Sequence, residues 1–299
     1  MNFQIWGLSG TLVTENEHQL NFAQERLWHW LNEFDGACNR FRDDSEISRV
    51  NARAGETVAI SATLELALSA ALLAREATQG LCDPSVLPAL LALGYDVDYD
   101  ELKGRGDITL AEPVKGVGAG AFDLDRAEHT VMLAPGCQLD LGASAKALVA
   151  DLIANDVAPT GGVVVEVGGD VAVRGRGPQG LWAIGLSDSL ELDGKEPRVA
   201  IHDGGIATSS TTARTWRASG QIVNHIVDPR TGSYAVGPYA TATVSARNCV
   251  LANAFATASL LWGEDAGYHV AQAGWSARFV RNDGSVEFVG GWPLDEVSA

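Results

Sequence analysis

The 299-residue sequence predicts an α+β fold. Apolar residues recur at helical spacing in four segments, near 21–34, 61–79, 143–155 and 248–262. Short runs rich in Val, Ile and Thr carry strand patterning. The two kinds of segment follow no regular βαβ order, which favours segregated helices and strands over a wound parallel sheet. No internal repeat, low-complexity tract or long linker is present, so the expected organisation is one compact, two-lobed unit over 1–299.

Residues 3–13 read as an entry strand broken at Gly7 and Gly10. Ala23, Leu27, Leu31 and Phe34 then mark one apolar stripe of a helix. The polar stretch "NRFRDDSEISRVN" is a loop that can start another turn at Ser45. Ser61 is the expected N-cap of the Ala/Leu-rich helix 61–79, and Gly80 its stop. "FDLDRAEHTVML" (122–133) reads as a hairpin. "GGVVVEVGGDVAVRGRG" (161–177) reads as two strands joined at Gly168 and Gly169. "RVAIHDGG", "YATATVSA" and "ARFVRNDGSVEFVGG" add strands, the last turning at Asn-Asp-Gly. The "DGKEPR" piece at 193–198 is a surface loop.

Lys and Arg total 21 against 38 Asp and Glu, a formal net charge of −17. That field repels nucleic acid and anionic lipid, whose binding needs positive charge. An anionic small ligand is compatible with it only where local donors or a metal offset the background. No apolar run reaches the roughly 18 residues that would suggest a membrane span. The first residues lack the features of a signal peptide, and Cys38, Cys82, Cys137 and Cys249 form no CxxC pair, so the expected location is cytoplasmic with reduced thiols.

Four stretches could carry chemistry. In "QLDLGASAKALVAD" a strand is expected to end at Asp140, with a helix beginning near Ala143 and Lys146 in its first turn. A helix start with a nearby Lys suits an anion, and a capping Asp with a solvated Lys explains the same residues. In "NHIVDPRTGSY" His225 precedes a tight turn and has the side chain best suited to proton exchange near neutral pH, while a satisfied structural histidine is the plainer alternative. "IATSSTTARTW" is a run of hydroxyls that reads as a strand edge or polar loop. In "VLANAFATASLLWG" Asn253 and Thr257 lie four apart, on one face of an otherwise apolar helix. There is no GxSxG elbow, HExxH, P-loop or GxGxxG, and the six His do not cluster at metal-ligand spacing.

Taken in order, "FRDDSEISRVN", "LCDPSV", "DLGASAKALVAD", "VEVGGDVAVRG", "IATSSTTARTW", "HIVDPRTG" and "LANAFATASLLWG" closely resemble the successive motifs of the ApbE family, from about Ser9 to Gly263. The resemblance implies an ApbE-like fold of two β-rich lobes with flanking helices and FAD in the cleft between them. It implies a Mg²⁺-dependent FAD:protein FMN transferase. Such an enzyme splits FAD, joins FMN through a phosphoester to a Thr or Ser of a partner protein, and releases AMP; some members also hydrolyse FAD. By position, Leu81, Cys82 and Asp83 match an FAD-contact segment, and Asp140 and Lys146 match FAD contacts. Val227 matches a flavin-pocket position, His225 the proposed catalytic base, and Ser9 a position near the adenine. The carbonyl of Ala143 and the side chains of Asn253 and Thr257 match metal ligands. The implied partner is an acceptor protein, in the first place a flavin-dependent reductase.

The sequence departs from the family pattern in three places. Asn253 stands where Asp is usual, so a metal ligand there brings an oxygen but no formal charge. Ser209-Ser210-Thr211-Thr212 replaces the usual Ser-Gly-Asp-Tyr. The chain's first residues do not read as the lipoprotein or secretory leader common in the family, so none is expected here. The first two motivate an alternative in which the chain binds or delivers flavin, or slowly hydrolyses FAD, with weakened catalysis.

Overall fold

The computed structural model describes residues 1–186 and 196–293. Of the expected loop at 193–198, Asp193, Gly194 and Lys195 lie outside the described residues. By its internal contacts the chain divides into two units. One is Met1–Trp30, Lys146–Ala213 and Gly237–Ala299; the other is Leu31–Ala145 and Arg214–Val236.

Among the described residues the helices are α1 (Leu20–Cys38), α2 (Glu46–Asn51), α3 (Ala62–Ala77), α4 (Leu87–Ala92), α5 (Tyr99–Leu102), α6 (Ser144–Val157), α7 (Cys249–Trp262) and α8 (Ala266–Gln272). Their starts are set by short polar side chains that accept from orphan amides. Ser45 accepts from Ser48 N, Ser61 from Leu64 N and Asn248 from Leu251 N. The stripe Ala23, Leu27, Leu31 and Phe34 of α1 is buried, as its spacing requires.

The strands are β1 (Asn2–Ile5), β2 (Leu8–Thr14), β3 (Thr57–Ala59), β4 (Phe122–Asp125), β5 (Thr130–Leu133), β6 (Val163–Val167), β7 (Asp170–Arg174), β8 (Trp182–Gly185) and β9 (Arg198–Ile201). They continue with β10 (Gly204–Ser210), β11 (Thr215–Ala218), β12 (Gln221–Asn224), β13 (Val227–Asp228), β14 (Ser233–Tyr234), β15 (Tyr239–Ala246), β16 (Ser276–Arg281) and β17 (Val286–Val289). The fold is α+β, with mixed helices and antiparallel strands.

The first unit is built on an eight-stranded sheet of order β1-β2-β6-β7-β10-β15-β16-β17, every neighbouring pair antiparallel. Gly10 lies within β2, opposite Phe3 and Val167, and only the Trp6-Gly7 turn breaks the entry strand. Gly168 and Gly169 form the two-residue turn between β6 and β7, both with positive φ (62° and 91°), which a side chain tolerates poorly. Strand alternation assigns the two faces. Ile206, Thr208 and Ser210 of β10 line a groove of about 840 Å³ on one face, with Glu166, Val171 and Thr241 from neighbouring strands. Ala207 and Ser209, and across the register Val244 and Ala242, turn the other way. α7 packs against β10, β15 and β7. Gly205 allows this approach: a Cβ there would lie 2.3 Å from the backbone N of Cys249.

The second unit holds the three-stranded sheet β3-β5-β4 and the hairpins β11-β12 and β13-β14. Its core gathers Leu90, Leu93, Tyr95, Leu102, Trp216, Val223 and Val227. The indole N–H of Trp216 donates to Leu93 O (2.8 Å), so the large ring is buried without an orphan donor.

Candidate functional site

In the first unit, the Gly168-Gly169 turn sets Asp170 as the first residue of β7, opposite Val167. Asp170 is 2% exposed, and its Oδ1 accepts from the Nδ2 of Asn253 at 2.7 Å. Asn253 is 6% exposed, and its other end, Oδ1, is buried without a hydrogen-bond partner among the described residues. The amide cannot profitably turn over, because that would press its oxygen against the carboxylate. One helical turn on, Thr257 Oγ1 lies 3.0 Å from Ser209 Oγ. Lys146, in the first turn of α6, brings its Nζ to 4.0 Å from Asp170 Oδ2.

The start of α7 is held from α6. Asp151 accepts from the backbone N–H groups of Cys249 (3.0 Å) and Val250 (3.1 Å), and from Arg174 at 3.0 Å. Burial pushes its carboxyl above the usual range, while the two amides and Arg174 pull the other way. Burial, reinforced by the charges of Asp170 and Asp151, drives the Cys249 thiol well above its ordinary value, which makes it inert.

The orphaned amide oxygen of Asn253, the carboxylate that its Nδ2 bonds and the hydroxyls of Thr257 and Ser209 one helical turn on are hard oxygens, the kind a magnesium ion accepts. Among the described residues no group of three or more His, Cys, Asp or Glu could hold a metal. A cation at this place would therefore depend on mixed oxygen ligands. The residues present fit such an ion.

In the second unit, Asp83 caps the short turn Pro84–Val86 that leads into α4. Its Oδ1 accepts from Ser85 N (2.8 Å) and Ser85 Oγ (2.7 Å), and its Oδ2 accepts from Arg75 Nε (3.0 Å). Ser85 Oγ in turn accepts from Val117 N at 2.8 Å. Leu81 and Cys82 are buried just before the cap. Asp140 donates its backbone N–H to Pro84 O (2.8 Å), which joins this segment to the Asp83 turn. The Asp140 carboxylate pairs with Arg40 (2.6 Å) and accepts from Gly142 N (2.7 Å). No strand ends at Asp140, contrary to the sequence expectation. Residues 138–140 are held by Asn51, whose side chain bonds both Leu139 N and Leu139 O, and not by a ladder. Ala143 lies in the turn directly before α6.

His225 is half-buried between β12 and β13. Asn224 fixes the backbone around it, donating to Ala235 O (3.0 Å) and accepting from Ile226 N (3.1 Å). Val227 is part of the core of this unit.

Asn253, Thr257 and Lys146 thus share one neighbourhood, and Asp83 and Asp140 another. Ser9 belongs to neither: it is exposed and lines the groove on the sheet face away from Ser209. Of the hydroxyl run, Ser209 and Ser210 end β10 beyond its pairing with β7, where only β15 is their partner strand, and Thr211 and Thr212 lie in the loop that follows, in keeping with a strand edge running into a polar loop. Sequence reasoning missed Asp170, Arg40 and Arg75. Asp170 had a signal, a carboxylate directly after the Gly-Gly turn of "VEVGGDVAV". Arg40 and Arg75 had none, because their partners lie across the fold or one turn beyond a helix end.

A sequence model described as the ApbE family matches residues 7–279. The chain is 30% identical over 269 residues to a FAD:protein FMN transferase of Treponema pallidum, covering 82% of this chain and 72% of that one. It is 26% identical over 258 residues to one of Vibrio cholerae, covering 84% and 76%. Among solved structures, the ApbE protein of Thermotoga maritima superposes with a TM-score of 0.79 at 22% identity, covering 97% and 96%. The apo form of the Pseudomonas stutzeri flavinyl transferase ApbE gives 0.77 at 21% identity, covering 97% and 92%. At these identities the structural likeness speaks to the fold.

Proposed function

Since this chain belongs to the ApbE family, we propose that it is a Mg²⁺-dependent FAD:protein FMN transferase. Its curated relatives carry that activity in their names. The observation that carries the reading to this chain is the buried Asn253 Oδ1, which lacks a partner among the described residues while the Nδ2 of the same side chain donates to Asp170.

Asn253 and Thr257 would hold the magnesium ion. When bound, Mg²⁺ neutralises and polarises pyrophosphate oxygens, the main requirement of phosphoryl transfer. Lys146 adds a positive charge for the same oxygens, which a chain of net charge −17 needs locally. The Asp83 and Asp140 loops, each braced by an arginine, shape the FAD contacts, and Val227 lines the flavin pocket. His225 accepts the proton of the acceptor hydroxyl. The hydroxyl oxygen bonds the FMN phosphorus as the bond from that phosphorus to the AMP oxygen breaks. The acceptor is a Thr or Ser of a partner protein, and a flavin-dependent reductase fits the cargo.

The test is incubation of the full chain with FAD and MgCl₂, with and without candidate acceptors. The expected result is AMP release that depends on Mg²⁺ and a flavin adduct on the acceptor by mass spectrometry. FAD left intact with every acceptor would overturn the proposal.

A further inference from the structure

We propose that Asp170 supplies the negative charge of the cation site that Asn253 cannot. The inference rests on the reading of Asn253 and Thr257 as metal ligands, and it places the carboxylate on strand β7 where the family pattern puts one on the helix.

Three features of the geometry support it. First, Asp170 and Asn253 are adjacent, with Oδ1 and Nδ2 2.7 Å apart. A carboxylate this close acts on a cation held by Asn253 through a short path of low dielectric. Second, the hydrogen bond fixes which way Asn253 faces. Its N–H₂ is turned to Asp170, so its oxygen is turned away from the carboxylate, into a buried position without a partner. Asp170 therefore orients a ligand as well as supplying charge, the double role that carboxylates beside metal ligands perform. Third, both residues are more than nine-tenths buried, so solvent screens neither. Lys146, in the first turn of α6, brings its Nζ to 4.0 Å from Asp170 Oδ2.

A purely structural Asp170 would only need to accept one hydrogen bond, which an Asn at the same place could do. The charge is what distinguishes the two roles. The experiment is Mn²⁺ binding by electron paramagnetic resonance on the full chain, with and without FAD, in the wild type, D170N, N253D and the exchange D170N/N253D. Melting in EDTA and in Mn²⁺ provides a second readout on the same samples.

The expected result for D170N is Mn²⁺ binding weakened by about 10–100-fold, the usual cost of losing a supporting carboxylate. The exchange variant, with its single carboxylate back on the helix, is expected to recover most of that loss. N253D sets two carboxylates side by side, so it should melt lower than wild type in EDTA and gain more from Mn²⁺. This last comparison stands even if D170N fails to fold.

The proposal is overturned if D170N binds Mn²⁺ as the wild type does. It is equally overturned if the wild type binds none, or if N253D matches the wild type in both melting conditions. Its failure is separable from that of the proposed activity. A wild type that transfers FMN while Mn²⁺ binding ignores Asp170 removes this inference alone. A wild type that binds Mn²⁺ through Asp170 yet never splits FAD removes the activity alone.

Discussion

At Gly205 strand β10 comes into close contact with the start of helix α7, and replacing it with Ala tests whether that closeness holds the polar helix face in place. A Cβ at 205 would lie 2.3 Å from Cys249 N and 2.4 Å from both Asn248 C and Cys249 Cα. Ordinary contacts between such atoms are about 3.5–4.0 Å, so the start of α7 must retreat by about 1 Å or more. It has little freedom to do so. Asn248 caps it through Leu251 N, and Asp151 holds the amides of Cys249 and Val250. Overpacking a well-filled site costs about 1–3 kcal/mol, and an obstacle made of pinned backbone belongs at the upper end. The backbone of Gly205 is not left-handed, so Ala recovers about 0.4–1 kcal/mol through the unfolded chain. The net loss is about 2–3 kcal/mol, or a melting temperature lower by about 4–10 °C. Urea denaturation followed by circular dichroism should show a lower midpoint with an unchanged slope. Gly36→Ala is the internal control. It makes the same chemical change inside α1, where a Cβ meets nothing within 4 Å, and should stabilise by about 0.5–1 kcal/mol. A G205A protein that melts at or above the wild type, or a G36A protein that loses as much, would refute the steric reasoning.

Thr257→Val keeps the shape of α7 but removes the hydroxyl 3.0 Å from Ser209 Oγ. It should cost about 1–2 kcal/mol in urea denaturation and abolish any stabilisation by Mg²⁺; a full Mg²⁺ response in the variant would exclude Thr257 as a ligand. Burial raises the Glu166 carboxyl above its ordinary 4.5, although the amides of Gly169 and Gly168 and the Thr11 hydroxyl oppose this. A raised carboxyl contributes stability that is present below about pH 4.5 and is lost as pH climbs through the folded value. Glu166→Gln should therefore melt higher than the wild type at pH 7.5, by about 1–3 °C, with the gap closing near pH 4. A gap of the same size at both pH values would mean the charge is not its cause.

What was legible in the sequence was local. Caps at Ser45 and Ser61 are decided by one side chain and an amide three residues on, and each was found where its residue type placed it. The Gly168-Gly169 turn needs two positive φ values and announced itself by composition. Asn253 and Thr257 fell on one face because helical spacing leaves no choice. What was not legible depended on strands far apart in the chain. Which of the hydroxyls 208–210 have a strand on both sides depends on where β7 begins, at Asp170, and residues 208–210 carry no mark of that. Asp140 has extended neighbours and an apolar run, the usual signs of a strand. Asn51, 88 residues from Leu139, occupies the backbone groups that a ladder would have used.

The helix face of β10 gives the physical reason for the polar pair on α7. Gly205, Ala207 and Ser209 are all small, so the helix backbone comes close. At that distance a buried oxygen without a partner costs about 1–3 kcal/mol, more than an apolar residue of similar size would. Folding alone would favour Leu or Met at 253, with Asp170 replaced by a neutral neighbour to match. The chain instead keeps a carboxylate 2% exposed, uses it to turn the Asn253 amide, and leaves the amide oxygen without a partner. The buried carboxylate and the unpartnered oxygen each disfavour the folded state without a ligand, and both are offset together if a cation takes up that oxygen. The cost to the metal-free protein and the affinity for metal then have the same source. A variant that relieves one should weaken the other, which a neutral apolar pair at 170 and 253 would show as a higher melting temperature and no response to Mn²⁺.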